Sequence, residues 1–125
     1  MPKAWPLSGA KILIAEDNAI QAYDLSCLLK AAGAEVVGPL RTVTEALAVA
    51  RSASLTCAVL DVVLRGEEVF PVAQALRERG IGVIYVTGSS DLPRLRRDWP
   101  ETQVISKPAS AGLLLQALCH AMPQQ

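Results

Sequence analysis

Apolar residues occur along this chain in two arrangements, and each arrangement predicts a different kind of element. Short unbroken apolar runs are typical of strands buried on both faces of a parallel sheet, whereas apolar residues three and four positions apart form one face of a helix. The unbroken runs predict five strands, at residues 11–15, 35–38, 57–61, 83–86 and 103–105. The third run is the most informative, because it passes without a break from apolar residues into the carboxylate of Asp61.

Helical spacing follows each predicted strand. Asn18, Thr42 and Ser110 are residues suited to cap a helix, and Glu45 completes a capping box with Thr42. The apolar faces of the predicted helices are formed by Leu25, Leu28, Leu29 and Ala32, by Val43, Ala46, Leu47 and Ala50, by Val69, Val72, Ala73 and Leu76, by Leu92, Leu95 and Trp99, and by Leu114, Ala117, Leu118 and Ala121. Five strands that alternate with five helices predict an α/β fold, a flavodoxin-like (βα)5 doubly wound parallel five-stranded sheet of order 2-1-3-4-5.

Length and composition indicate a single globular domain. The chain has 125 residues, of which 51% are hydrophobic, and its formal net charge is +0. This composition gives no reason to expect disorder, or attraction to nucleic acid or a membrane. No apolar run is long enough to span a membrane and the N-terminus lacks a signal-peptide pattern, so we expect a cytoplasmic protein. We expect a flexible leader at residues 1–10, the domain at 11–122 and a short tail at 123–125.

The cysteines and the histidine do not form a motif. Cys27, Cys57 and Cys119 are far apart without metal-ligand spacing, and we interpret them as buried free thiols in a reducing compartment. His120 is the one histidine and is expected at the surface. It cannot form a zinc site or a catalytic triad unaided.

Polar residues follow most of the predicted strands. They are Glu16 and Asp17 after the first strand, Asp61 at the end of the third, Thr87 and Gly88 after the fourth, and Lys107 and Pro108 after the fifth. Taken singly, the acids could favour a helix N-terminus and the other pairs could be a turn and a loop. In the predicted order 2-1-3-4-5, the strand order reverses between the first and third strands. We therefore expect the three carboxylates to meet there, with Thr87 and Lys107 beside them.

Such a cluster has a specific chemistry. Neighbouring carboxylates raise one another's pKa, and a divalent cation relieves their repulsion. Mg²⁺ is the suitable ion because it binds a few carboxylates together with water and phosphoryl oxygens. Lys107 and the Thr87 hydroxyl would stabilise the oxygens of a transferring phosphoryl group, and Gly88 would leave space for it to enter. Asp61 is then the candidate nucleophile that forms an aspartyl phosphate.

In these motifs the chain resembles a response-regulator receiver (CheY-like) domain of bacterial two-component signalling, from about residue 11 to residue 121. The resemblance implies phosphoryl transfer to Asp61 from the phosphohistidine of a histidine kinase or phosphotransfer protein, or from acetyl phosphate. It also implies a Mg²⁺ ion bound by Asp17, Asp61 and the backbone carbonyl of Val63, with Glu16 reaching the ion mainly through water.

The resemblance is nearest to the receiver subgroup with a Phe-Ala-Thr-Gly-hydrophobic-Tyr motif. This chain reads Tyr-Val-Thr-Gly-Ser-Ser at residues 85–90, without the final tyrosine. Most receivers carry a switch aromatic three residues before the lysine, where this chain has Val104. Tyr85 is therefore the candidate switch aromatic. The resemblance further implies a cis peptide bond between Lys107 and Pro108.

We therefore expect a stand-alone, single-domain response regulator, not an enzyme with a turnover substrate. Its chemistry would be limited to its own phosphorylation and autodephosphorylation. Because no DNA-binding segment follows the last helix, the signal is expected to pass to an unidentified protein by phosphorylation-dependent binding, with a homodimer as a further option. The alternatives are a receiver-like interaction domain that binds without phosphorylation, a phosphate sink for a shared kinase, and a phosphohydrolase using the same aspartate and metal.

Overall fold

The computed structural model describes residues 7–88, 92–100, 102–107 and 110–121. Within them the strands are β1 (Lys11–Ala15), β2 (Glu35–Leu40), β3 (Cys57–Asp61), β4 (Val63–Leu64), β5 (Glu67–Glu68), β6 (Gly82–Thr87) and β7 (Gln103–Ser106). The helices are α1 (Ala19–Ala31), α2 (Val43–Ser52), α3 (Phe70–Glu78), α4 (Leu92–Asp98) and α5 (Ala111–Ala121). Most of the predicted leader and the whole predicted tail lie outside the described residues. Leu7, within the predicted leader, is buried and its N–H donates to the Ala32 carbonyl at 2.9 Å.

Five strands form one parallel sheet in the order β2-β1-β3-β6-β7. Counted along the chain within this sheet, the order is 2-1-3-4-5, so the predicted α/β architecture is confirmed. The sheet separates two cores, since α1 and α5 cover one face while α2, α3 and α4 cover the other. Along β3, Cys57 and Val59 face the first core, and Ala58 and Leu60 face the second. This alternation explains why the predicted strands read as continuous apolar runs.

The second strand was expected to stop at Pro39, but β2 continues to Leu40. Proline is tolerated because β2 is an edge strand, where a missing N–H need not cost a ladder hydrogen bond. The register against β1 shifts near Gly38, whose φ is +111° and whose bond to Pro39 is cis. A Cβ on Gly38 would lie 2.8 Å from the Leu40 nitrogen and 2.9 Å from the Ile14 oxygen, so the position requires glycine. Past this bulge, the Leu40 carbonyl accepts the N–H of Glu16 at 3.0 Å.

A short hairpin that the sequence did not predict follows β3. β4 and β5 pair antiparallel across residues 65–66, whose φ values of 47° and 84° are those of a type I′ turn. The N–H of Val69 donates to the Val62 carbonyl at 2.8 Å and closes the base of the hairpin. Bonded and non-bonded pairs alternate in an antiparallel ladder, so the next pair, Val63 with Glu68, is of the non-bonded kind. The carbonyl of Val63 is therefore directed away from β5.

The predicted helix caps are confirmed by hydrogen bonds from backbone N–H groups three residues further along the chain. These bonds reach the side chain of Asn18 at 2.9 Å, of Thr42 at 3.1 Å and of Ser110 at 3.1 Å. Each cap starts a helix directly after a strand or its loop, which keeps the connections at the carboxyl edge short. Among the described residues, no helix is long and apolar enough to cross a membrane.

The thiols do not all lie in the core, as was expected. Cys57 on β3 is buried, but Cys119 is only half-buried and Cys27 is exposed. The expectation was wrong for Cys27 because this residue lies on the solvent side of α1. His120 is exposed near the end of α5, as predicted.

Candidate functional site

Three carboxylates lie together at the carboxyl ends of β1 and β3. Glu16 and Asp17 follow β1 directly, and Asp61 is the last residue of the neighbouring β3. One carboxylate oxygen from each of Glu16, Asp17 and Asp61 lies within 4.8 Å of the other two. The structure thus brings together the acids that the sequence placed at this edge.

Lys107 reaches the same carboxylates from the end of β7. Its Nζ donates to Asp61 Oδ2 at 2.9 Å and to Glu16 Oε1 at 3.2 Å. The Lys107 side chain is 26% exposed, and those of Glu16 and Asp61 are 6% and 14% exposed, so water screens these charges only partly. Burial alone would lower the pKa of Lys107, but the hydrogen bonds and charges of Asp61 and Glu16 outweigh it and raise the pKa above its usual value. The ammonium therefore stays charged at neutral pH and offsets part of the negative charge.

Glu16 is the most buried acid of the cluster, and the backbone fixes its position. Its Oε2 accepts the N–H of Asn18 at 3.1 Å. Burial raises the pKa of Glu16, the Asn18 N–H lowers it, the charge of Asp61 raises it, and Lys107 lowers it. The net result is a raised pKa, the direction that a bound cation would reverse.

Asp17 connects the cluster to the hairpin. Its Oδ2 accepts the N–H of Arg65, the first turn residue, at 2.8 Å. The same hairpin carries Val63, two residues after Asp61, with its carbonyl directed away from β5. Sequence reasoning missed the Arg65 contact, for which the only signal was the glycine that follows it at position 66.

The ends of β6 and β7 bring further polar groups to this edge. Thr87 is the last residue of β6, is 1% exposed, and pairs with Ser106 of β7. Its carbonyl accepts the N–H of Lys107 at 2.8 Å. Gly88 is exposed, and a Cβ there would meet no heavy atom of the described residues within 4 Å, so these residues leave the space beside it open. Pro108, and with it the predicted cis bond, lies outside the described residues.

Tyr85, the candidate switch aromatic, lies in the core and not among the carboxylates. Its ring is fully buried and makes T-shaped contacts with Phe70 at 5.9 Å and with Trp99 at 5.7 Å between centroids. Its hydroxyl has no hydrogen-bond partner in the described part of the chain. Burial raises the pKa of the phenol, and the charge of Arg77 opposes this only in part. The role of Tyr85 in switching stays a prediction.

The apolar spacing of α4 predicts that its three arginines, Arg94, Arg96 and Arg97, face solvent, but Arg94 does not point into solvent. The rings of Phe70 and Trp99 stack at 5.8 Å and 17°. The guanidinium of Arg94 lies 5.2 Å from the Phe70 centroid, and that of Arg77 lies 4.7 Å from the Trp99 centroid. Arg94 also forms an ion pair with Glu68 of the hairpin. The prediction was therefore wrong for Arg94, because a cation over an aromatic face and beside a carboxylate is better placed than in water.

A groove of about 640 Å³ opens beside the acidic cluster, on the side covered by α1 and α5. Leu25 and Leu28 of α1 and Leu114 of α5 contribute apolar walls. Asp61 and Lys107 belong to the same lining, so the groove communicates directly with the cluster.

A few large apolar side chains are exposed on elements that follow strands of the sheet. In the described part of the chain, the large hydrophobic residues that are exposed are Ile20 at 74%, Tyr23 at 70%, Leu113 at 59% and Val63 at 37%. They lie in the first two turns of α1, in the first turn of α5 and in β4, all of which follow strands that end at the cluster.

The donor set fits Mg²⁺. Three carboxylates lie within reach of one another, and the Val63 carbonyl is not used by its own hairpin. These are hard oxygen ligands of the type that Mg²⁺ binds, with positions left for water or a phosphoryl oxygen.

Comparison with known proteins places the fold in one class. No family model matches the sequence, and no curated protein sequence matches it. A response regulator receiver protein from Sinorhizobium medicae WSM419 has a similar structure, with a TM-score of 0.79 and 24% identity over 90% of this chain and 95% of that one. The receiver domain of the sensor histidine kinase PA1611 from Pseudomonas aeruginosa PAO1 has magnesium coordinated in its active-site cleft. Its structure matches with a TM-score of 0.77 and 19% identity over 91% of this chain and 98% of that one.

The response regulator PhyR from Brucella abortus gives a TM-score of 0.78 and 27% identity over 90% of this chain. The alignment spans 47% of PhyR, so this chain corresponds to about half of that protein. Together these similarities show that the chain has the receiver fold. The particular receiver subgroup stays a prediction.

Proposed function

We propose that this chain is a response regulator receiver domain that accepts a phosphoryl group on Asp61 and binds a target protein according to its phosphorylation state. The observation that carries the proposal is the pair of hydrogen bonds from Lys107 to Asp61 and Glu16, beside Asp17. One ammonium and three acids at the carboxyl edge of a receiver fold are the groups that phosphoryl transfer to a carboxylate requires. The donor would be the phosphohistidine of a histidine kinase or phosphotransfer protein.

In the proposed reaction, a carboxylate oxygen of Asp61 bonds to phosphorus. The bond from phosphorus to the imidazole nitrogen breaks, and its electron pair goes to the nitrogen. Lys107 would pass one of its hydrogen bonds to a phosphoryl oxygen, and the Thr87 hydroxyl would donate to another. The space beside Gly88 would admit the group.

Mg²⁺ would be bound by Asp17, Asp61 and the Val63 carbonyl, with Glu16 reaching it mainly through water. When bound, it supplies positive charge that stabilises the phosphoryl oxygens during transfer. The close approach of the three carboxylates supports this assignment, because one oxygen of each lies within 4.8 Å of the other two, as ligands of one ion would.

Exposed apolar side chains on α1 and α5 support a protein as the donor. Ile20 and Tyr23 of α1 and Leu113 of α5 are exposed on the two helices that cover the groove beside Asp61, and a partner that delivers a phosphohistidine would bury part of this apolar surface. A donor as small as acetyl phosphate would leave this surface in water. We further propose that no other substrate is turned over; steady-state hydrolysis of a generic phosphomonoester would contradict this and favour the phosphohydrolase alternative.

Incubation of the chain with acetyl phosphate and Mg²⁺, followed by intact-mass measurement, tests the proposal. We expect the mass of one phosphoryl group to be gained by the wild type and not by Asp61→Asn. Asp98→Asn, an acid of α4 outside the cluster, is the matched control and should be phosphorylated like the wild type. Magnesium-dependent gain by Asp61→Asn would contradict the assignment. Equal affinity for the target with and without beryllofluoride would instead favour the phosphorylation-independent interaction domain.

A further inference from the structure

The hairpin β4–β5 touches the acidic cluster with one end and α4 with the other. At its turn, the Arg65 N–H donates to Asp17. At β5, Glu68 forms an ion pair with Arg94 of α4, whose guanidinium also lies over Phe70. The contacts therefore form a continuous path from a proposed Mg²⁺ ligand to a surface helix.

The hairpin is held together as one unit. Its base is closed by the bond from the Val69 N–H to the Val62 carbonyl, and the side chains of Val62, Leu64 and Val69 are fully buried. Its turn residues have the φ values of a tight type I′ turn, so the two strands are joined directly and we expect them to shift together. Val63, whose carbonyl is a proposed ligand, lies between the two ends.

We infer that this hairpin is a lever that couples cation binding to the position of α4, with Glu68 and Arg94 as positioning residues for Asp17 and the Val63 carbonyl. The inference rests on the proposed function, because it assigns regulation of the same site. By thermodynamic reciprocity, a cation that favours the observed hairpin position also favours α4 docked on it, and a partner that holds α4 there strengthens cation binding by the same factor.

The direction in which removal of the Arg94 charge changes Mg²⁺ affinity distinguishes this lever from a purely electrostatic effect. If Arg94 acted only through space, its removal would take a positive charge away and make Mg²⁺ bind more tightly. If Arg94 holds the hairpin, its removal loosens Asp17 and Val63 and weakens Mg²⁺ binding. The two accounts predict opposite signs for the same variant, while both predict weaker binding for the removal of Glu68.

The test is Mg²⁺ titration of the full chain by calorimetry, repeated by Trp99 fluorescence in a Trp5→Phe background, which leaves one tryptophan. The side chains of Arg94 and Glu68 are 34% and 51% exposed, so a modest effect is expected. Arg94→Gln and Glu68→Gln should each raise the Kd for Mg²⁺ about two- to fivefold. Their double variant should bind no more weakly than the weaker single variant, and Arg94→Lys should restore part of the affinity.

Glu67→Gln is the matched control, because Glu67 is the neighbouring exposed acid and forms no ion pair in the described part of the chain. It measures the through-space effect of one negative charge, and the loss in Glu68→Gln should exceed it. Tighter or unchanged binding by Arg94→Gln, or a double variant whose losses simply add, would overturn the lever. If the wild type shows no Mg²⁺ binding that is abolished in Asp17→Asn, the proposed function itself is refuted.

Discussion

Replacement of Tyr85 by phenylalanine is expected to stabilise the protein, the opposite of the usual result for a core substitution. The side chain is fully buried, and no described residue bonds its hydroxyl. A buried polar group without a partner costs about 1–3 kcal/mol. Phenylalanine keeps the ring and its T-shaped contacts with Phe70 and Trp99, and removes only the oxygen. We therefore expect the free energy of unfolding to rise by about 1–2 kcal/mol.

Urea unfolding followed by circular dichroism measures this change. For an m value of about 1–3 kcal/mol/M, the midpoint of Tyr85→Phe should move up by roughly 1 M. Phe70→Leu, which removes a ring from the same cluster, is the comparison and should destabilise by about 1–3 kcal/mol. A lower midpoint for Tyr85→Phe would refute the reasoning, because the hydroxyl would then have a partner in solution. If Tyr85 is the switch aromatic, beryllofluoride should stabilise the wild type more than Tyr85→Phe.

Four further experiments test other features of the fold. Gly38→Ala should lower the free energy of unfolding by about 2–4 kcal/mol, because its φ is positive and a Cβ would meet backbone atoms. At Gly112 a Cβ would meet no described atom within 4 Å, so Gly112→Ala should instead raise the free energy of unfolding by about 0.5–1 kcal/mol. Urea midpoints that do not move in opposite directions for the two variants would contradict these expectations. Burial, with a smaller effect of Cys119, raises the pKa of Cys57 from 9.0 to about 11, which favours the thiol in the folded state. The stabilisation that the protonated Cys57 thiol contributes is complete below pH 9.0 and is lost as the pH rises to about 11, by at most about 2–3 kcal/mol. Urea unfolding over this pH range should therefore show a larger fall in the free energy of unfolding for the wild type than for Cys57→Ala. Iodoacetamide should label Cys27, which is exposed, well before Cys57, as peptide mass spectrometry would report.

The parallel sheet and the acidic cluster were predictable because both depend on local patterns. A strand buried on both faces needs an unbroken apolar run, so the first polar residue marks its end. Asp61 was found in this way, and Lys107 directly follows Ser106, the polar residue that ends β7. Parallel pairing then places the carboxyl ends of neighbouring strands at one edge. The caps at Asn18 and Thr42 were equally readable, since each bond spans only three residues.

What could not be predicted depends on contacts between residues far apart in the chain. The hairpin has two residues in each strand, too few for a periodic signal, and its turn is held by Asp17, 48 residues before Arg65. Arg94 looked like one more solvated arginine because nothing nearby in sequence indicates Phe70 or Glu68. The continuation of β2 through Pro39 depends on its place at the sheet edge, which only the assembled fold defines.

The sheet separates two faces of the molecule that carry different surface features. The groove beside Asp61 opens on the side of α1 and α5, while the ion pair of Arg94 and the stacked rings belong to the side of α2, α3 and α4. If the proposed function is correct, a phosphoryl donor at the groove and a protein bound to α4 would occupy opposite sides of the sheet, so both could be bound at the same time.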